Sequence, residues 1–427
     1  MAVNTDKSLR NQVMYQVFVR NFSEEGTFAA VEDSLDAIKA LGTDIIWFMP
    51  IHPIGTLNRK GTLGSPYAIS DYRAVNPEFG TLEDFKRLVA AIHDKGMKCI
   101  IDVVYNHTSP DSVLSKSHPE WFYHRPDGSF GNRVGDWTDI IDLDYNRPDL
   151  WDYQIETLCQ WAEIVDGFRC DVAPLIPIAF WEKAREAVEQ VRPGAIWLSE
   201  SVEPEFILHM RSRGLTALSD SEIYRAFDLS YDYDCYGKFT GCLCGDSSLA
   251  DYAEAINRQE YIYPDNYVKL RFLENHDQTR ARFLIPDVRA LRNWTAFNFF
   301  QKGLALVYAG QEYAVSHLPS LFDKDTVDWF NIRNEDLTSL IKRLAAIKKD
   351  ALFADSTYRV EAQGEDFLIA THEKDGRTAL GVFAVTGKTA LVKVDFPDGV
   401  YTNLIDKRPV EVFRGRIASH GEPIILM

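Results

Sequence analysis

Four apolar segments of this chain each end in a carboxylate or an imidazole, and that repetition restricts the fold more than any other feature. CIIDVVYNHTS, from Cys99, delivers Asp102, Asn106 and His107. GFRCDVA, from Gly167, delivers Asp171. AIWLSES, from Ala195, delivers Glu200, and VKLRFLENHDQTR, from Val268, delivers Asn275, His276 and Asp277. Continuous apolar runs of this length read as strands buried on both faces, the habit of parallel sheets. Asp171 and Glu200 are separated by about thirty residues, enough for one strand, helix and turn back to a parallel neighbour. Strands whose ends carry acids at such spacing imply a barrel with one shared rim.

Within GFRCDVA, strand alternation puts Arg169 and Asp171 on one side and Phe168, Cys170 and Val172 on the other. A carboxylate in so apolar a strand is costly unless paired, and Arg169 is within reach. The pair reads equally as a structural ion pair or as a carboxylate nucleophile held ionised.

At 427 residues, 46% of them hydrophobic, the chain accommodates a (β/α)8 barrel of about 250 residues with insertions and a second domain. A net charge of −17 argues against a polyanionic partner such as nucleic acid, whose phosphates need a basic surface. No apolar run of about eighteen residues occurs, so no membrane span is expected. The first twenty residues lack the apolar core of a secretory signal, which makes a cytoplasmic location the expectation, although a mature secreted form with an added Met would read the same. Of the six cysteines, Cys99 and Cys170 fall inside predicted strands, as small buried thiols do. Cys235, Cys242 and Cys244 cluster without the paired spacing of a zinc site.

The alternation of elements can be followed along the chain. Strands are predicted at VMYQVFV near Val13, DIIWFMPI before His52, Cys99 onward, GFRC, AIWLS, weakly near Phe227, the run ending at Asn275, and GLALVYAGQE from Gly303. A helix over FAAVEDSLDAIKALG places Val31, Leu35, Ile38 and Leu41 on one face. Another, capped by Thr81, buries Phe85, Leu88, Val89 and Ile92 before Gly96. Further helices are expected around 150–165, 181–191 and 337–349. Periodicity lapses over 108–145, which reads as an inserted subdomain. After 350, short alternating runs such as FLIATHE and ALGVFAV predict an antiparallel β-sandwich-like domain over 350–427. The catalytic barrel would then comprise 1–107 and 146–349.

DVVYNH, GFRCDVA, the glutamate of WLSES and ENHD, in that order, resemble the four signature regions of the α-amylase family of glycoside hydrolases. GSPYAISDYRAVNPEFGT from Gly64, DLDYN from Asp142 and YAGQE from Tyr308 are similar to further family segments. The resemblance implies Asp171 as nucleophile, Glu200 as general acid and base, and Asp277 as a stabiliser of the transition state. It implies substrate contacts at Tyr67, His107, Arg169 and His276, with Asp102 and Asn106 organising the site. Retaining hydrolysis would place the Asp171 and Glu200 carboxyls about 5 to 5.5 Å apart, with Arg169 lowering the pKa of Asp171 and burial raising that of Glu200. Trp121, Phe122, Tyr123 and Trp137 of the insert are candidates for a glucan groove or for packing.

The implied substrates are α-1,4-linked, starch-derived maltooligosaccharides. Alternatives are an exo-acting α-glucosidase, a cyclomaltodextrinase-like, neopullulanase-like or transglycosylating relative, and, most remotely, a non-catalytic sugar- or protein-binding barrel. No cofactor is required. Many family members follow the nucleophile with a lysine and histidine near a calcium ion, where this chain reads VAPLIPIAF. Asn106 is the one retained calcium ligand, so metal at that site stays open, as does the oligomeric state.

Overall fold

The computed structural model describes residues 4–135, 137–331, 333 and 335–427. Eight parallel strands close a barrel: β1 Val13–Val17, β2 Ile45–Phe48, β3 Lys98–Val103, β4 Gly167–Cys170, β5 Ile196–Ser199, β6 Leu229–Tyr231, β7 Val268–Arg271 and β8 Leu304–Tyr308. Each pairs with its sequence neighbours, and β8 pairs back onto β1. All but the first residue of β3 are buried, which is why these segments read as continuous apolar runs.

The helix Leu82–Asp94 forms as its sequence demands. Thr81 and Asp84 make a reciprocal capping box, and Phe85, Leu88, Val89 and Ile92 are its buried face. The run after β1 forms two short helices, Phe28–Asp33 and Leu35–Ala40, where a single helix was expected. Ser34 interrupts it, its hydroxyl bonding back to the Ala30 carbonyl. The predicted seventh strand ends at Arg271, so Asn275, His276 and Asp277 lie on the loop beyond it. That loop carries them over the mouth of the barrel.

Gly167 shows how tightly the strands approach. A Cβ there would lie 2.1 Å from the Ile196 carbonyl oxygen on β5, so only glycine lets β4 begin where it does.

Between β3 and β4, His107–Thr108 pairs antiparallel with Ile141–Asp142, anchoring the inserted segment to the end of β3. At the far end of the chain, two four-stranded antiparallel sheets face each other. In the first of them, Phe367 and Ile369 point into the sandwich core, while Leu368 and Ala370 join the core of the barrel. Alternation thus lets one strand serve two hydrophobic cores. Phe297 and Phe300, on the helix Val288–Phe300 before β8, stack edge-on against Phe383. No described helix is long and apolar enough to cross a membrane.

His372 is fully buried in this junction, 2.8 Å through Nε2 from the Phe300 carbonyl and 2.7 Å through Nδ1 from the Ser356 hydroxyl. Burial pushes its pKa down to about 3. The unfolded chain therefore takes up a proton on this ring from about pH 6.5 downward, while the folded chain does not. Relative to His372→Gln, which cannot titrate, the wild-type protein is expected to lose about 1.4 kcal/mol per pH unit between pH 6 and 4. Urea unfolding of both proteins across that range checks this, and parallel pH profiles would contradict it.

Candidate active site

The site is assembled around one arginine. β3 and β4 pair so that Asp102 and Arg169 are direct neighbours, and both side chains are fully buried inside the barrel. Arg169 Nη1 lies 2.9 and 3.0 Å from the two oxygens of Asp102, and 2.9 Å from Asp171 Oδ1. Its Nη2 sits 2.9 Å from Glu200 Oε1, in ion-pair contact but out of line for a hydrogen bond. Its Nε donates to the Tyr231 hydroxyl at 3.2 Å. The rings of Trp47, Tyr67 and Tyr231 surround the guanidinium, with centroids 5.3 to 5.6 Å away. A weakly hydrated planar cation suits such a dry aromatic cage.

Three carboxyls share this single buried cation, and the imbalance sets their protonation. Burial raises Asp102 and Asp171 to about 7 and Glu200 to about 8, with Arg169 pulling in the opposite direction in each case. Glu200 rises as expected from the sequence. Asp171 does not fall: Arg169 favours its charge, but desolvation and the negative charge of Asp102 outweigh a guanidinium divided among three acids.

Glu200 is held from its other side by backbone. Its Oε2 accepts from the Val172 N–H at 2.7 Å. Val172 has φ 36° and ψ 40°, a left-handed conformation that a β-branched residue adopts only at a cost of about 1–3 kcal/mol. The strained turn directly after Asp171 therefore aims an amide at the partner acid. Nothing in the letters DVA signals this.

His276 is buried beside the cluster. Gln16, reaching in from β1, donates to Nδ1 at 2.7 Å, which leaves the proton on Nε2. That nitrogen faces the Tyr67 hydroxyl and lies 3.0 Å from Asp277 Oδ2. Burial drops the ring's pKa to about 4, so it is neutral at pH 7. Tyr67 stacks on it with ring centroids 5.5 Å apart. Asp277 is open to solvent, unlike Asp171 and Glu200. Its position is fixed by the Asn275 side chain, which accepts from its N–H at 2.9 Å.

His107 and Asn106 lie at the edge. Asn106 donates to His107 Nδ1 at 3.2 Å, and the His107 ring also bonds the backbone of Tyr67. The two residues thus hold the Tyr67 loop and do not touch the acids directly. Of the insert's aromatics, Trp121 and Phe122 are core residues, Tyr123 lies under Arg133, and Trp137 packs 5.7 Å from His107. Sequence reasoning missed Trp47, Tyr231 and Gln16, whose strands gave no sign of which face met the cluster.

A parallel eight-stranded barrel with an ionic carboxylate cluster at the C-terminal ends of its strands defines a class of barrel proteins that work on ligands bound at that face. The model for "Alpha amylase, catalytic domain" matches residues 7–352, and that for "Bacterial Alpha amylase C-terminal domain" matches residues 359–426. The chain belongs to the α-amylase family of glycoside hydrolases.

The chain is 47% identical to an α-amylase from Lactobacillus plantarum whose crystal structure superposes with a TM-score of 0.96, covering 99% of both chains. It is 34% identical to the maltogenic α-amylase AmyB from Thermotoga neapolitana, with a TM-score of 0.87 and coverage of 98% and 99%. The α-amylase MalA of Haloarcula japonica is 27% identical over 94% of this chain and 62% of its own length. A maltosyltransferase of Pseudomonas aeruginosa is 36% identical over 44% of this chain and 32% of its own. The chain thus spans less than two thirds of the length of these two curated relatives.

Arg169→Met leaves the buried carboxyls without a counter-charge, an expected loss of about 3–5 kcal/mol at pH 8. Their folded-state pKa values would rise further above the unfolded values near 4. Groups shifted in that direction stabilise at low pH and lose that contribution as pH rises, so the deficit should shrink between pH 8 and pH 5. Urea midpoints at both pH values measure it; a deficit of equal size would contradict the shared-cation reading.

Proposed function

We propose that the protein is a retaining glycoside hydrolase that cleaves α-1,4-glucosidic bonds of starch-derived maltooligosaccharides. The observation that carries this reading is the single guanidinium contacting both Asp171 and Glu200, which holds the two carboxyls side by side. In the first step the ionised Asp171 carboxylate attacks the anomeric carbon, and Glu200 gives its proton to the departing glycosidic oxygen. The C–O bond breaks with its electron pair on the leaving sugar, and a glycosyl ester forms on Asp171. Glu200, now ionised, takes a proton from water as the water attacks the same carbon and displaces Asp171.

Asp277 supplies negative charge beside the oxocarbenium-like transition state. Neutral His276 offers a hydrogen-bond donor to the bound sugar, and Tyr67 a ring face on which it stacks. Asp102 and Asn106 position these groups.

Hydrolysis and transfer differ only in whether water or a sugar hydroxyl takes the glycosyl group from Asp171. The similarity to maltosyltransferases over part of the chain supports transfer as a second outcome of the same intermediate. Six unpaired cysteines support a reducing, cytoplasmic setting.

Maltoheptaose hydrolysis should release products first as the α-anomer by proton NMR, and Asp171→Asn should lower kcat by on the order of 10⁴-fold. Product analysis at high substrate separates hydrolysis from transfer. The alkaline limb of kcat/KM should fall near pH 8, where Glu200 loses its proton, and vanish in what activity Glu200→Gln retains. β-anomeric product or undiminished activity in Asp171→Asn would overturn the mechanism.

A further inference from the structure

We propose that Arg133 is the built-in cation that fastens the inserted subdomain to the barrel, so that the junction forms without calcium. The family resemblance would place a calcium ion at Asn106. The residues around Asn106 do not fit one. Asp142 and Asp144 approach this point, and Arg133 lies against both, Nη1 3.5 Å from Asp142 Oδ2 and Nη2 3.7 Å from Asp144 Oδ1. Its backbone N–H also donates to Asp142 Oδ2 at 2.7 Å, and Nη1 donates to the Leu143 carbonyl at 3.2 Å. The guanidinium covers the ring of Tyr123 at 4.6 Å, which fixes its plane. Arg147 lies 3.7 Å from the other oxygen of Asp144. The third nearby acid, Asp139, is paired with Lys60 at 2.9 Å.

Each carboxylate is thus already neutralised by a side chain of the same protein. Calcium takes six to eight oxygens, several of them anionic, and here it would have to enter beside a fixed positive charge. Against that charge Asn106 offers one oxygen, its side-chain Oδ1, since its backbone carbonyl accepts from the Leu143 N–H and its amide nitrogen donates to His107. One oxygen, Asp142 Oδ1, is buried without a partner. The adjoining cavity of about 220 Å³ has room for water to satisfy it. The same cavity is lined by Leu175, on the turn that follows Asp171 and Val172. Arg133 therefore stands where the subdomain, the segment after β3 that carries His107, and the turn after Asp171 meet.

Full-length protein treated with EDTA and dialysed should melt within about 2 °C of protein in 5 mM calcium chloride, and equilibrium dialysis with radioactive calcium should show no stoichiometric binding. Arg133→Gln should lower the Tm by several degrees, and Arg133→Lys, which keeps a point charge without the fork, should recover part of the loss. A wild-type Tm that climbs with calcium, one ion bound per chain, or an Arg133→Gln protein as stable as the wild type would each overturn the proposal. Should Arg133→Gln fail to fold, the chelation and dialysis measurements on the wild type decide the question alone.

Discussion

One positive charge shared among three buried carboxyls governs the centre of this protein. Arg169 can reach Asp102, Asp171 and Glu200 together only because β3, β4 and β5 are adjacent and in a register that sets Asp102 beside Arg169. A closed parallel barrel supplies that register and the low dielectric in which it matters. The shortage of positive charge shows in the acids themselves: burial raises the pKa of all three, and one guanidinium offsets that only in part. On the proposed reading, the cluster holds a proton on one carboxyl while another is charged, the division that acid catalysis with a carboxylate nucleophile needs.

Surrounding contacts convert this charge pattern into geometry. The strained Val172 amide orients Glu200, while Gln16 sets the tautomer of His276 and through it the donor facing Tyr67 and Asp277. Asn106 and His107 tie the Tyr67 loop to the end of β3. Each of these supports comes from a different strand or loop, so the site is only as rigid as the barrel beneath it. A second ionic cluster lies on the flank of the barrel, where Lys269 reaches Asp220 and Asp234, and Arg271 reaches Asp232. Asp232, Asp234 and Cys235 stand close enough together to suggest a metal, yet Gln259 donates to both aspartates, Arg271 donates to Asp232, and Lys269 lies in ion-pair contact with the other oxygen of Asp234. The protein meets buried acids with its own cations in more than one place.

The barrel was legible because burial on both faces writes itself into sequence as continuous apolar runs, and because helices such as Leu82–Asp94 carry caps and stripes. The acids Asp102, Asp171 and Glu200 were legible as charges that an apolar strand does not tolerate without purpose. Asp277 was less so, since its loop extends six residues past β7. What stayed hidden depends on three-dimensional neighbours. The left-handed turn at Val172 is imposed by packing and has no glycine to announce it. The pKa of Asp171 hinges on how many acids divide Arg169, which strand order alone reveals. Arg133 lay in a segment without periodicity, where no pattern distinguishes a half-buried, paired cation from a solvated one.

The covalent role of Asp171 is the claim on which the functional account rests, and trapping the intermediate tests it most directly. Incubating the Glu200→Gln protein with a 5-fluoro-α-maltosyl fluoride should form the ester while blocking its hydrolysis. Intact-mass spectrometry should then show one added fluoro-maltosyl group per chain, and peptide mapping should place it on Asp171 within GFRCDVA. An adduct on Asp277 or another residue, or a chain that turns the reagent over without passing through any adduct, would contradict the account.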